Sequence, residues 1–173
     1  QETVNITVIE GHECVNIERA RSPQPIRYEG WIGRRTPLHC TAAGKVLLAY
    51  LPDRERSVRL ALPLVKYTSQ TVTDDQTLIN ILKEIRLQRY AIVHEEFEAG
   101  FSGIAAPIFN HEGQAVAAVS VSGPTYRMGP GIVESFINPL QETAQTISAE
   151  MGFGQRRSVS DVSIPGNGND ALR

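Results

Sequence analysis

Ser102-Gly103-Ile104-Ala105-Ala106-Pro107-Ile108-Phe109 and Ala115-Val116-Ala117-Ala118-Val119-Ser120-Val121-Ser122-Gly123 read as two strands of one hairpin. The turn between them is Asn110-His111-Glu112-Gly113. Strands joined this directly are antiparallel, because a parallel pair needs a long crossover. The second strand also sorts its residues. Val119 and Val121 share one face, while Ala118, Ser120 and Ser122 share the other, the two serines standing about 6.6 Å apart at the usual rise. If the valine side is core, the serine side is either solvent or the wall of a polar cavity. Two hydroxyls among alanines suit a cavity, since they offer hydrogen bonds without filling it. Spacing alone leaves both readings open.

Working outward, Val4 to Ile9 alternates apolar and polar residues, and Cys14 to Ala20 is its return strand across Glu10-Gly11-His12-Glu13. A loop at residues 21–25 leads to an expected extended segment, Ile26 to Ile32, which holds Tyr28 and the only tryptophan, Trp31. Helices are expected at Ala42 to Leu51, Asp53 to Leu62 and Asp75 to Arg89, the last with Leu78, Ile81, Leu82, Ile85 and Leu87 as its buried side. A strand follows at Ala91 to His94, then an acidic loop. The final helical region runs from Gly131 to Met151, with Asn138-Pro139 marking a kink or a restart. This order gives an α+β fold, an antiparallel sheet of about six strands with helices packed on it.

The helix at Ala42 has an unusual front end. Thr41 is a good N-cap whose hydroxyl can accept from the amide of Gly44, and Ala42, Ala43 and Gly44 leave the first backbone N–H groups approachable. Bare amides at a helix start suit a small anion, although small residues there also simply permit close packing.

The totals narrow the function. The chain has 173 residues and a formal net charge of −2, so it carries no excess of basic groups for gripping nucleic acid or an anionic membrane. No apolar run reaches membrane-spanning length. Two cysteines, Cys14 and Cys40, form no disulfide framework and point to a reducing cytoplasm. The abrupt start on a strand points to a piece of a longer protein, and residues 155–173 read as a flexible tail.

Chemical motifs are weak. Gly44-Lys45 lacks the first glycine and the hydroxyl residue of a phosphate loop. Gly166-Asn167-Gly168 follows no strand, so it is not a dinucleotide fingerprint. Ser102 sits between glycines at the wrong spacing for a nucleophile elbow. His12, His39, His94 and His111 show no zinc-ligand spacing, and Glu95, Glu96 and Glu98 read as a solvated acidic face. No metal or cofactor is expected.

Three pieces stand together in order. They are Thr36-Pro37-Leu38-His39-Cys40-Thr41-Ala42-Ala43-Gly44-Lys45, Ala91-Ile92-Val93-His94-Glu95-Glu96 with Gly100, and Ile104 to Phe109 through Ser120-Val121-Ser122-Gly123-Pro124. This combination resembles the C-terminal effector-binding domain of IclR-type bacterial transcriptional regulators, over nearly all of residues 4–152. The resemblance implies a GAF-like α+β fold for residues 1–154. It also implies a winged helix-turn-helix DNA-binding domain that precedes this one in the family and is absent from this chain. The expected partners are a small-molecule effector, DNA through the absent domain only, and further copies of the chain in a dimer or tetramer.

Carried over by position, the resemblance places the effector between the first helix and the sheet. Thr41 and the amides of Ala42 and Ala43 would hold an anion. Val93, Phe101 and Gly103 would form the deeper wall, Ser120 and Ser122 the polar end, and Tyr28 and Trp31 the mouth. Members that bind a small keto-acid place an acid at the Val93 position and a thiol at the Gly103 position. This chain has neither, which implies a larger, more apolar pocket for an aromatic or partly apolar carboxylate. The competing reading is a small hydrolase using Ser102, Ser120 or Ser122 with His39, but no nucleophile turn, base and orienting acid are recognisable. An enzyme is therefore not expected.

Overall fold

The computed structural model describes residues 2–154. The tail expected over 155–173, with its glycine-rich stretch, lies outside the described residues. Six strands make one antiparallel sheet: β1 (Thr3–Glu10), β2 (Glu13–Ala20), β3 (Arg35–Pro37), β4 (Ala91–His94), β5 (Phe101–Phe109) and β6 (Ala115–Pro124), in the order β3-β2-β1-β6-β5-β4. Each hairpin supplies a neighbouring pair, and β1 pairs with β6 to join the two halves. The helices are α1 (Ala42–Tyr50), α2 (Asp53–Arg59), α3 (Asp75–Gln88) and α4 (Ile137–Glu150). No helix among the described residues is long and apolar enough to cross a membrane.

Both faces of the sheet are covered, and the pleat assigns residues to them. Ile104, Ala106, Ile108, Val119 and Val121 pack with Leu140 and Ala144 of α4. Their alternates, Ala105 and Ala118, pack with Val46, Leu47 and Leu48 of α1, behind which Leu78, Leu82 and Ile85 bring in α3. Small residues on that face let α1 lie close. Every residue from Ala42 to Ala49 is buried, so α1 is a core helix.

Local chemistry sets the ends. The Thr41 hydroxyl accepts from the Gly44 amide at 3.2 Å, the cap read from the sequence. Asp74 caps α3 by accepting from the Thr77 amide at 2.7 Å. Pro139 falls in the first turn of α4, where a missing N–H costs nothing, and a separate 3-10 turn at Val133–Phe136 precedes it. The Asn138-Pro139 signal thus marks a restart.

Two expectations are corrected. Residues 26–32 form no strand: their carbonyls are taken instead by side chains, Tyr28 O by the Thr3 hydroxyl at 2.9 Å and Ile26 O by Arg127 at 2.7 Å. The edge strand is the three-residue β3 just beyond. Leu87 is 79% exposed, because it lies two residues past Ile85 and so on the opposite side of the turn.

Candidate functional site

The face of the sheet under the start of α1 is polar and recessed. Val93, Gly103, Ser122 and Thr3 stand opposite one another across β4, β5, β6 and β1, and Ala91, Ala105, Ser120 and Asn5 form the next row. Where these rows carry bulk they pack on α1. Where they carry glycine and serine they leave a cavity.

Its floor is Val93, Gly103, Ser120, Ser122, Asn5 and Thr7, its roof Cys40, Thr41, Ala42 and Ala43, and its side Asn16 and Thr36. Tyr28, Phe97, Glu98 and Phe101 stand around it, with Glu96 and Ser102 also in the wall. The space between these groups, mouth included, is about 580 Å³. A β-carbon at Gly103 would stand 3.3 Å from the Ser122 hydroxyl and 3.8 Å from the Ala42 methyl, so the missing side chain is itself part of the cavity's volume.

Nine of the ten residues expected at a ligand site therefore surround one cavity: Tyr28, Thr41, Ala42, Ala43, Val93, Phe101, Gly103, Ser120 and Ser122. Trp31 does not. It is 53% exposed and outside the lining. Its ring instead lies 4.9 Å from the Arg34 guanidinium, which also covers the Tyr28 ring at 4.7 Å. Arg34 pairs with Glu98 at 2.7 Å and donates to Glu29 O at 2.9 Å, tying the 26–32 loop to the acidic loop. Tyr28 meets Phe101 edge-on at 5.7 Å.

The polar groups divide by what they already satisfy. In the first turn of α1 the Gly44 amide is capped and the Lys45 amide bonds Thr41 O, which leaves the Ala42 and Ala43 amides without acceptors among the described residues. The Ser120 and Ser122 hydroxyls have no protein partner among the described residues. By contrast, Thr7 donates to Asn16 Oδ1 at 2.9 Å.

The acidic loop is not the solvated face expected. Glu96 is buried, and its Oε1 lies 2.5 Å from Nζ of Lys45, itself only 2% exposed. Glu96 Oε2 is buried with no hydrogen-bond partner among the described residues. Asn5, Thr7, Asn16, Thr36, Cys40, Phe97, Glu96 and Glu98 were not anticipated in the lining. The alternation of Asn5 and Thr7 against Ile6 and Val8 was their only local signal, and it does not distinguish a wet cavity from open solvent.

Reactive chemistry is not set up here. Burial pushes the Cys40 thiol up to about 12, with the Glu96 charge adding to it, and burial likewise pushes Tyr28 up to about 12. Both stay neutral at ordinary pH. His39, the base of the hydrolase reading, is outside the lining, with its Nε2 3.0 Å from Val65 O. Ser102 instead has its hydroxyl 3.1 Å from His94 Nδ1. The described residues contain no cluster of three side chains able to hold a metal.

Comparison with known proteins agrees with the geometry. Residues 1–149 match the family model for the C-terminal domain of the bacterial transcriptional regulator IclR. The chain is 36% identical over 156 residues to the HTH-type transcriptional regulator KdgR of Escherichia coli, covering 88% of this chain and 59% of that protein. It therefore spans little more than half the length of that relative. Among solved structures, the IclR protein of Thermotoga maritima superposes with a TM-score of 0.82 at 34% identity, over 88% of this chain and 62% of that one. The inducer-binding domain of the Acinetobacter transcription factor PobR, in a double mutant complexed with 3-hydroxybenzoic acid, superposes with a TM-score of 0.78 at 31% identity, over 85% and 87%. These relatives are regulators of transcription, not enzymes. The chain belongs to the IclR family of bacterial transcriptional regulators, of which it carries the C-terminal domain.

Proposed function

We propose that this domain is the metabolite sensor of a cytoplasmic, homo-oligomeric IclR-type regulator, and that its effector is a small carboxylate with an apolar or aromatic body. The observation that carries the reading is the pair of uncapped amides at Ala42 and Ala43 above two hydroxyls, Ser120 and Ser122, that no group among the described residues uses. Donors fixed in this way suit a carboxylate, and the positive end of the α1 dipole adds to them. Val93, Phe101, Tyr28 and Phe97 supply apolar surface for the rest of the ligand. The 3-hydroxybenzoic acid in the PobR complex is a ligand of this kind. A ligand preferring one arrangement of the assembled copies would shift DNA binding by a winged helix-turn-helix domain, by its differential affinity and no more.

A calorimetric series on the chain tests the proposal, using benzoate, 3-hydroxybenzoate, pyruvate and glyoxylate. The aromatic acids should bind more tightly than the short keto-acids, and Ser120→Ala should weaken the aromatic acids roughly tenfold, the worth of one charge-assisted hydrogen bond. Tighter binding of glyoxylate or pyruvate would overturn the apolar reading.

A further inference from the structure

Among the described residues, two that line the cavity carry a buried side-chain acceptor met by no donor, Asn5 Oδ1 and Glu96 Oε2, and Glu96 is the charged one. Lys45 reaches Glu96 from α1 and satisfies Oε1. The backbone of Glu96 is fixed as well, its carbonyl accepting from the Thr71 hydroxyl at 2.6 Å. The neighbouring donors are committed elsewhere. Thr68 gives its hydroxyl to Glu95 O at 2.6 Å, and Arg34 is bound to Glu98 and Glu29 O. Oε2 is left buried and without a donor among the described residues, on a residue that lines the cavity.

A carboxylate oxygen is an acceptor only, and burying one unmet is costly enough to need an explanation. Rotation cannot cure it, since both oxygens of the group have the same character. The Lys45 charge offsets that of Glu96, so the pair does not repel an anion in the same cavity. What remains is an unmet acceptor on a residue of the cavity wall.

We propose that Glu96 determines specificity: its Oε2 accepts a hydrogen bond from a hydroxyl or amino group of the effector, so the ligand is a carboxylate that also carries a hydrogen-bond donor. Lys45 is the positioning residue that holds the acceptor in place. This inference rests on the carboxylate-cavity reading above and adds to it the second functional group of the ligand.

The test is calorimetry on the 173-residue chain with benzoate and its 3- and 4-substituted hydroxy, amino and methoxy derivatives, alongside butyrate and 3-hydroxybutyrate. At least one hydroxy or amino acid should bind about tenfold or more tightly than both its parent and its methoxy counterpart, since a bond to a charged acceptor discriminates by that much. Comparing the hydroxy and amino arms tells which donor the site takes. Glu96→Gln keeps an oxygen for Lys45 but offers an amide N–H where Oε2 stood. It should abolish the preference for the donor and turn it toward the methoxy compound. Equal affinity across a series whose parent acid binds overturns the inference and leaves the carboxylate cavity standing. Binding of none of the acids overturns both. A donor preference that survives in Glu96→Gln removes Glu96 from the role, and if that variant fails to fold, the wild-type series alone decides.

Discussion

A β-carbon placed on Gly44 would stand 2.6 Å from Leu38 Cα and 2.7 Å from its carbonyl carbon, both backbone atoms that cannot swing aside. The first turn of α1 is seated on the preceding chain at this point, in the turn whose Ala42 and Ala43 line the cavity. Gly44→Ala should therefore cost about 3 kcal/mol of stability, the upper part of the usual overpacking range, measured by urea unfolding. A loss below about 0.5 kcal/mol, the ordinary surface value, would show that the seat is soft. At this scale the sequence reveals what is local. The Thr41 cap lies three residues from its donor and is legible in the Thr-Ala-Ala-Gly pattern. Lys45 and Glu96 are 51 residues apart, Arg34 and Glu98 are 64 apart, and neither pairing leaves a mark on its neighbours. A lysine after a glycine reads as incidental, and a glutamate among glutamates as solvated, until the fold brings them together.

α3 shows how a helix divides its own leucines. Leu78 is fully buried against α1 and Leu87 is largely exposed, although both are leucines of one amphipathic segment. Leu78→Ala should destabilise by about 2–5 kcal/mol, through lost transfer energy and the cavity left behind. Leu87→Ala should change stability by less than about 0.5 kcal/mol. Parallel urea titrations of the two variants check the contrast, and a comparable loss in both would contradict the packing described. The elements with strong periodicity, both hairpins and α3, were legible because alternation and helical spacing are properties of the chain itself. β3 was not, since three residues carry no period. Residues 26–32 were misread because β-forming residues such as Tyr28, Trp31 and Ile32 promise a strand only where a neighbouring strand offers its free edge. Here the Thr3 and Arg127 side chains claim the carbonyls first.

Across the whole molecule, one sheet serves two helical layers, and core and cavity meet along it. His39 sits where the chain enters α1, and burial holds its imidazole below its ordinary 6.5, against the opposing effect of its bond to Val65 O. As pH falls through 6.5 the unfolded chain takes up this proton before the folded one does, so stability declines from there downward. Above 6.5 both states hold the ring neutral and its contribution is flat. Urea unfolding between about pH 5 and about pH 8 should show a steeper acid limb for the wild type than for His39→Gln, which has nothing to titrate. Identical limbs would mean the ring is not held neutral. At this scale the α+β class and the antiparallel sheet were legible from the order of elements, whereas the cavity under the serine face was not, because a strand's polar side looks alike against water and against a cavity. That alternation has a consequence for how such a domain can change its ligand. Along β5 and β6 the odd and even positions answer to different demands: Val119 and Val121 to the α4 core, Ser120 and Ser122 to whatever occupies the cavity. Substitutions at every second residue can retune chemical preference while the intervening residues keep the domain folded. An insertion of one residue exchanges the two sets and loses both. The strands are thus open to point mutation and closed to changes of length, so new effectors are reached by replacing side chains within a fixed register.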